Sequence, residues 1–195
     1  MLSFISNWLR ERNRLRDIMR TIGRVGIHSY LVDGDKLSLI VESYLPGDAI
    51  ITYAVLSASS IVQGGRYSHA SIGTGAGTIV DATPVNGLTK RTILAPLIGC
   101  GRVAIRRPRL TGTERLAIAE RAIALSSRGI EYDWNFDPNN VAMYCSEAYR
   151  ECVEYVVPGS IALREHFSVM SYTPDDIAED DFFETIIEFS AEAIQ

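Results

Sequence analysis

Cysteine, histidine and aspartate are the residues of this sequence whose types and positions could support nucleophilic chemistry. Two of its three cysteines, Cys145 and Cys152, lie seven positions apart in MYCSEAYRECVEYV. A cysteine acts as a nucleophile only as a thiolate, which a helix N-terminus and a neighbouring imidazolium favour. Most free cysteines are instead small buried apolar residues. Cys145 is therefore a candidate nucleophile only if other residues activate it.

The position of Cys145 in its predicted helix favours it over Cys152. It follows a polar loop that contains Pro138, Asn139 and Asn140, so we expect it near the helix start. Free backbone N–H groups at that end lower the pKa of a thiol and can hold an oxyanion. Cys152 lies two turns further in and gains neither effect. We interpret it as a packing residue.

His69 and Asp81 lie on the two arms of a predicted β-hairpin in SHASIGTGAGTIVDATP. The apolar alternation and the glycine-rich reversal predict a turn at residues 75–77. His69 and Asp81 then fall roughly opposite each other, within reach of an imidazole to carboxylate hydrogen bond. Such a bond fixes the tautomer of the imidazole and favours its protonated form. Cys145, His69 and Asp81 are the candidate catalytic residues.

Other kinds of site have less support in the sequence. The glycine-rich GTGAGT is followed by the strand-like IVDA, whereas a phosphate loop requires a helix there. No G-x-S-x-G motif occurs, and the histidines and cysteines lack the short spacings of zinc ligands. We predict no metal and no cofactor.

The surrounding elements predict an α+β domain. LPGDAIITYAV indicates a strand from about Ala49, and the β-like runs TKRTILAPLI and GRVAIRRP follow the hairpin. A helix starts after Thr111 or Thr113, and Thr111 with Glu114 fits a capping box. The cysteine-bearing helix comes next, and Thr173 begins a last helix.

Composition and charge limit the partners. With 195 residues, of which 47% are hydrophobic, the chain can bury a sizeable core. The formal net charge of -5 argues against a dedicated nucleic-acid binder. The low cysteine content, the lack of a signal peptide and the lack of a long apolar run predict a cytoplasmic protein.

The two ends of the sequence have opposite charge. Residues 1–24 carry six arginines and two acids, a local charge of plus 4, with apolar residues at helical spacing. From residue 173 onward there are eight acids and no base. The basic helix either packs on the protein's own body or acidic segment, or makes a peripheral contact with an anionic membrane.

In sequence and order, PGDAII, YSHASIG, VDATP, VAIRRP, EYDWNFD and YCSEAYR resemble the permuted branch of the NlpC-type papain-like cysteine hydrolases, the YiiX and YebB group. The resemblance runs from about Gly47 to Ala178. It implies a permuted papain-like α+β fold, in which a small antiparallel, barrel-like sheet packs against the cysteine-bearing helix. Residues 46–195 form that domain, and residues 1–45 form an N-terminal helical extension.

Carried over by position, the resemblance makes Cys145 the nucleophile, His69 the base and Asp81 the orienting residue. Relatives often have glutamate in place of this aspartate. The resemblance also implies four residues along the substrate cleft: Tyr67, Ser68, Tyr132 and Tyr144. For Tyr132 the alternative is ordinary core packing.

The implied activity is thiol-dependent hydrolysis of an amide or peptide through an acyl-enzyme. One alternative is an acyl-lipid hydrolase or acyltransferase similar to the lecithin retinol acyltransferase group. Another is a non-catalytic binding module on the same fold. The expected partner is a peptide, amide or acyl-lipid substrate and not a nucleic acid, while the oligomeric state stays open.

Overall fold

The computed structural model describes residues 32, 34–54, 65–135, 141–166 and 169–190. The basic helix predicted in residues 1–24 lies outside this part of the chain. In chain order the elements are α1 (Gly34–Ser43), β1 (Ala49–Ala54), β2 (His69–Gly75), β3 (Thr78–Thr83), β4 (Gly87–Thr92), α2 (Leu94–Leu97), β5 (Cys100–Pro108), α3 (Gly112–Ser126), α4 (Cys145–Val156), β6 (Arg164–His166), β7 (Val169–Ser171), α5 (Pro174–Glu179) and β8 (Phe183–Ser190).

Six strands form one antiparallel sheet in the order β4-β3-β2-β1-β5-β8, and β6 and β7 form a separate hairpin. The predicted α+β class is confirmed. The sheet is larger than predicted, and β4 and β8 are its edges. Among the described strands, none closes the sheet into the predicted barrel-like shape.

Apolar side chains cover both faces of this sheet. Ile72 and Val80 pack with Tyr149 in a core beneath α3 and α4. On the opposite face, Ile79 packs with Ile40 of α1 in a second core that also includes α2. Ile79 and Val80 are adjacent in β3, so their side chains point to opposite faces. α1 precedes the domain boundary predicted at residue 46 but contributes to this core, and the boundary itself stays a prediction.

The predicted hairpin turn is confirmed. β2 ends at Gly75 and β3 begins at Thr78, and Gly75, Ala76 and Gly77 all have positive φ values. Glycine adopts that conformation without a steric cost, which explains the glycine-rich reversal. The strand predicted from Ala49 is also present.

The run TKRTILAPLI is only partly a strand. β4 ends at Thr92, whose hydroxyl accepts a hydrogen bond from the N–H of Leu94 at 3.0 Å. This local bond competes with continued strand pairing and starts the helical turn α2.

The predicted helix starts at Thr111 and Thr173 are confirmed, because each side chain accepts a hydrogen bond from the backbone N–H three residues later. The acidic segment beyond α5 was not predicted as a strand. It forms β8, which pairs with β5 and places Ile187 opposite Ile105. None of the described helices combines the length and apolarity needed to cross a bilayer.

Gly47, just before β1, packs closely against the backbone of α3. Its φ is +86°, and a Cβ at this position would lie 2.3 Å from the carbonyl oxygen of Arg115 in α3. Its N–H donates to the carbonyl of Gly73 at 2.8 Å. A side chain here therefore meets both a disfavoured backbone conformation and backbone atoms that cannot easily move.

We expect Gly47→Ala to lower the free energy of unfolding by about 1–3 kcal/mol more than Gly99→Ala, because of the added clash. Gly99 also has positive φ, +74°, but a Cβ there has no heavy atom within 4 Å. Gly99→Ala therefore carries only the backbone cost, about 1–2 kcal/mol. Urea denaturation of both variants beside the wild type measures the difference. Equal losses in the two variants would contradict the close approach to α3.

Candidate active site

Cys145 is the first residue of α4, at the predicted position. Tyr144 before it is extended, and its N–H donates to the carboxylate of Glu147 at 3.2 Å. The first N–H groups of a helix have no partner within the helix and lie at the positive end of its dipole. The sulfur of Cys145 therefore lies beside backbone donors that favour a negative charge.

Three hydrogen bonds hold the start of α4 in place. Tyr149 donates its hydroxyl to the carbonyl of Gly47 at 2.9 Å, just before β1. Ser146 donates to the carbonyl of Tyr172 at 2.6 Å, and the N–H of Tyr172 donates to the hydroxyl of Tyr144 at 3.1 Å. The side chains involved are buried, so water does not compete for these bonds. Together they fix where the helix start meets the strands.

β2 and β3 separate next to the start of α4. Their last pair is Ile72 with Val80, so residues 69–71 of β2 have no partner on β3. α4 contacts both strands. Beyond the last pair, the N–H of Ala70 donates to the sulfur of Cys145. The opening between the strands thus brings a strand amide and the helix start to one sulfur atom.

His69 and Asp81 are joined by a hydrogen bond of 2.8 Å between the imidazole Nε2 and the carboxylate Oδ2. The sequence predicted that they fall roughly opposite each other, within reach of such a bond, and the register makes them diagonal neighbours. The pairing shifts between Gly73 and Gly75, and continuing it from Ile72 places Asp81 two positions from the residue opposite His69. Both side chains still lie on one face, where diagonal neighbours can bond.

The imidazole of His69 also contacts the thiol of Cys145, and each group changes the pKa of the other. Burial raises the pKa of the thiol, but the hydrogen bond with His69 and the charge of His69 lower it. The N–H groups of Ala70 and Ser146 lower it further, and the net pKa lies below the usual thiol value. Burial lowers the pKa of His69, whereas its bonds to Asp81 and Cys145 raise it to about 10. Both shifts favour a thiolate beside an imidazolium.

The two ring nitrogens of His69 have different partners. Nε2 is bonded to Asp81, so Nδ1 is the nitrogen left to face the sulfur. The carboxylate thereby orients the imidazole toward Cys145.

Arg91 is a partner of Asp81 that the sequence analysis missed. The side chain of Asp81 is fully buried, and Arg91 donates from Nε to Oδ1 at 2.9 Å and from Nη2 to Oδ2. Asp81 pairs with Thr89 on β4, so Arg91 lies two residues further along the same face. Burial raises the pKa of Asp81, but His69 and Arg91 lower it below its usual value. The carboxylate is therefore charged and lies between two cationic groups.

The segment that leads into His69 is tied to α5 and β8. The carboxylate of Asp175 accepts the N–H of Arg66 at 2.9 Å and the N–H of Tyr67 at 2.8 Å. The hydroxyl of Tyr67 donates to Glu188 at 2.8 Å. Tyr67 is only 2% exposed, so it is a core residue here, and its contact with substrate stays a prediction.

The other residues that the resemblance implied along the cleft are buried as well. Ser68 and Tyr144 are each 1% exposed, and Tyr144 bonds to the backbone of Tyr172. Tyr132 is 9% exposed and packs edge-on against Trp134, which agrees with the core-packing alternative. A role for any of them in substrate binding stays a prediction.

The three cysteines are all buried, and within the described residues only Cys145 has an imidazole partner. Burial raises the pKa of Cys100 to about 11 and that of Cys152 to about 12. Cys152 lies in the core between α4 and the sheet, which confirms its interpretation as a packing residue. Cys145 is 2% exposed, whereas the side chain of His69 is 18% exposed, so solvent reaches the pair from the imidazole side.

Comparison with known proteins supports the fold. No protein-family model matches the chain. No curated protein matches its sequence either. The crystal structure of the metalloprotein YiiX from Escherichia coli O157:H7 is similar, with a TM-score of 0.60 and 16% sequence identity, over 75% of this chain and 98% of that chain. At this identity the likeness shows that the two share a fold.

YiiX is called a metalloprotein, so the donor side chains of the present chain bear on whether it could hold a metal. In residues 32, 34–54, 65–135, 141–166 and 169–190, no three His, Cys, Asp or Glu side chains are grouped so that they could hold a metal ion. Asp81 and the imidazole of His69 are bonded to each other and to Arg91 and Cys145. The described residues do not fit a metal centre, and the expectation that the chain carries none stays a prediction.

We expect iodoacetamide to alkylate Cys145 with a half-maximal rate at a pH below about 8.5, the usual pKa of a thiol. The thiolate forms as the pH rises through the lowered pKa of Cys145. Low exposure slows the reaction at every pH, so the midpoint of the profile is the informative quantity. Peptide mass spectrometry across the pH range measures it and assigns the label.

His69→Ala is expected to move this midpoint up to the usual thiol value or higher, because the imidazolium is lost. Cys152, on the same helix, is an internal control and should stay unlabelled below the raised pKa of about 12. A wild-type midpoint at or above the usual thiol pKa would contradict the ion pair.

Proposed function

We propose that the chain is a thiol-dependent hydrolase that cleaves an amide or peptide bond through an acyl-enzyme on Cys145. One observation carries the proposal: the imidazole of His69, bonded to Asp81 at 2.8 Å, lies close enough to Cys145 at the start of α4 to lower the pKa of its thiol. The pKa of this thiol is lowered, whereas burial raises the pKa of Cys100 and of Cys152. A thiol buried only for packing gains no such partner.

The proposal includes the permuted papain-like arrangement. In that arrangement the histidine-bearing strand precedes the cysteine-bearing helix, as β2 precedes α4 here. The chain also shares a fold with YiiX, the group that the resemblance names. Asp81 takes the orienting position for which the resemblance implies a glutamate.

In the first step the thiolate of Cys145 attacks the carbonyl carbon of the substrate. A carbon–sulfur bond forms, and the carbonyl π electrons move onto the oxygen. The backbone N–H groups at the start of α4 hold this oxyanion, as preorganised donors do in acyl transfer. The oxyanion then re-forms the carbonyl, and the carbon–nitrogen bond breaks.

The imidazolium of His69 gives its proton to the leaving amine and becomes neutral. It can then take a proton from water while the oxygen of that water attacks the thioester. The carbon–sulfur bond breaks, the acid product leaves and the imidazolium–thiolate pair is restored. Asp81 keeps the ring oriented through both transfers.

We expect an acyl adduct on Cys145 when the protein is mixed with p-nitrophenyl acetate and quenched in acid. Intact and peptide mass spectrometry detect the adduct. It should be absent from Cys145→Ala and present in Cys152→Ala, the matched substitution two turns along the same helix. No adduct in the wild type, or an adduct that persists in Cys145→Ala, would contradict the proposal and favour a binding module.

A library of peptide amides and fatty-acyl esters then separates amide hydrolysis from the acyl-lipid alternative. For the preferred substrate, kcat/KM should rise as Cys145 loses its proton at a pH below the usual thiol pKa. It should fall as His69 loses its proton at about pH 10. Preference for fatty-acyl esters over amides would replace the amidase assignment, and a profile with no alkaline fall would contradict the role of His69 as the acid.

A further inference from the structure

Arg91 makes the most extensive polar contact with Asp81. It donates from Nε to Oδ1 at 2.9 Å and from Nη2 to Oδ2, while Oδ2 also bonds to Nε2 of His69 at 2.8 Å. The side chain of Asp81 is fully buried, and that of Arg91 is 27% exposed. A two-pronged guanidinium contact fixes the plane of a carboxylate as well as its distance. The Arg91 contact therefore holds Asp81 in the orientation that meets the imidazole.

Charge balance gives Arg91 a second effect. With Cys145 as thiolate and His69 as imidazolium, the buried line carries the charges of Cys145, His69, Asp81 and Arg91, which sum to zero. Without Arg91, two anions share a single imidazolium and one buried negative charge is left uncompensated. Such a charge is costly, and the group that binds a proton most readily becomes neutral. That group is the sulfur, because a thiol has a higher intrinsic pKa than a carboxyl group.

We propose that Arg91 is a positioning residue for the candidate active site, which holds Asp81 against His69 and keeps Cys145 ionised. This inference rests on the proposed function, because it concerns the ionised state that the nucleophile requires. Arg91 touches neither the sulfur nor a substrate carbonyl in this proposal. It acts through the carboxylate.

The four charged groups of this line come from four elements, and the buried carboxyl groups of Asp133 and Glu147 lie near Tyr132 and Tyr144 beside it. His69 lies on β2, Asp81 on β3, Arg91 on β4 and Cys145 on α4. The phenol groups of Tyr132 and Tyr144 also lie near the sulfur. Burial raises the pKa of each phenol, so both stay neutral. In the described part of the chain, Arg91 is the permanent cation of this line, and it is bonded to Asp81.

The test compares Arg91→Gln and Arg91→Lys with the wild type by the pH profile of iodoacetamide labelling at Cys145. We expect Arg91→Gln to move the midpoint to higher pH, by less than the about 1–3 units that the loss of an adjacent opposite charge gives, because Arg91 acts through Asp81 and His69. Arg91→Lys keeps the charge but loses the two-pronged contact, so its midpoint should lie between the other two. Lys90→Gln is the matched control, because it removes a positive charge from the exposed neighbouring position of the same strand and should leave the midpoint unchanged.

Urea denaturation first establishes that each variant folds. If Arg91→Gln does not fold, the labelling midpoint of Arg91→Lys is compared with that of Lys90→Gln. A higher midpoint in Arg91→Lys then supports the positioning role. If the folded Arg91 variants have the same labelling midpoint as the wild type, the positioning role is overturned and the proposed function stands. A wild type without a lowered midpoint would overturn both, so the two failures are distinguishable.

Discussion

The candidate site depends on one feature of the sheet, the end of the β2–β3 pairing at Ile72 and Val80. Had the ladder continued to His69, the strands would leave no space between them for the start of a helix. Because it stops, the first residue of α4 lies against both strands, and the N–H of Ala70 is directed to a sulfur. The helix start, the imidazole and the carboxylate meet at this opening, which separates Cys145 from an ordinary buried cysteine.

The chemistry of the site follows from placing charges in a poorly solvated environment. An isolated buried thiolate would take up a proton, and an isolated buried carboxylate would do the same. The structure alternates the signs instead, so that sulfur, imidazole, carboxylate and guanidinium form one line. Each ionised group is stabilised by the next, and the partly exposed side chain of His69 is where solvent reaches the site.

Features that depend only on a few neighbouring residues could be predicted from the sequence. The turn at residues 75–77, the cap at Thr111 and the place of Cys145 at a helix start each depend on neighbouring side chains, and each is present. The pairing shift between Gly73 and Gly75 could not be predicted, because a local irregularity changes register without a clear signal in composition. Without it, Asp81 would lie three positions from the residue opposite His69 and on the other face, so the shift brings the two side chains to one face.

Other features depend on contacts between distant parts of the chain. The contact of Arg91 with Asp81 depends on the β3–β4 register, in which Thr83 pairs with Gly87. A two-residue turn at Asn86 and Gly87, the usual interpretation of that pair, would instead put Arg91 on the other face of the sheet from Asp81. The contacts of Tyr67 with Asp175 and Glu188 span 108 and 121 residues, and no local pattern encodes them. β8 was missed because its apolar residues do not alternate strictly where the β5–β8 pairing shifts.

The tie between Asp175 and the backbone that leads into β2 has a consequence for the order of assembly. Synthesis proceeds from the N-terminus, so His69 and Cys145 leave the ribosome before Asp175 and Glu188 do. Until those carboxylates are available, the approach to His69 lacks its anchors. A chain synthesised only as far as α4 therefore lacks the contacts that hold the segment before His69 in place.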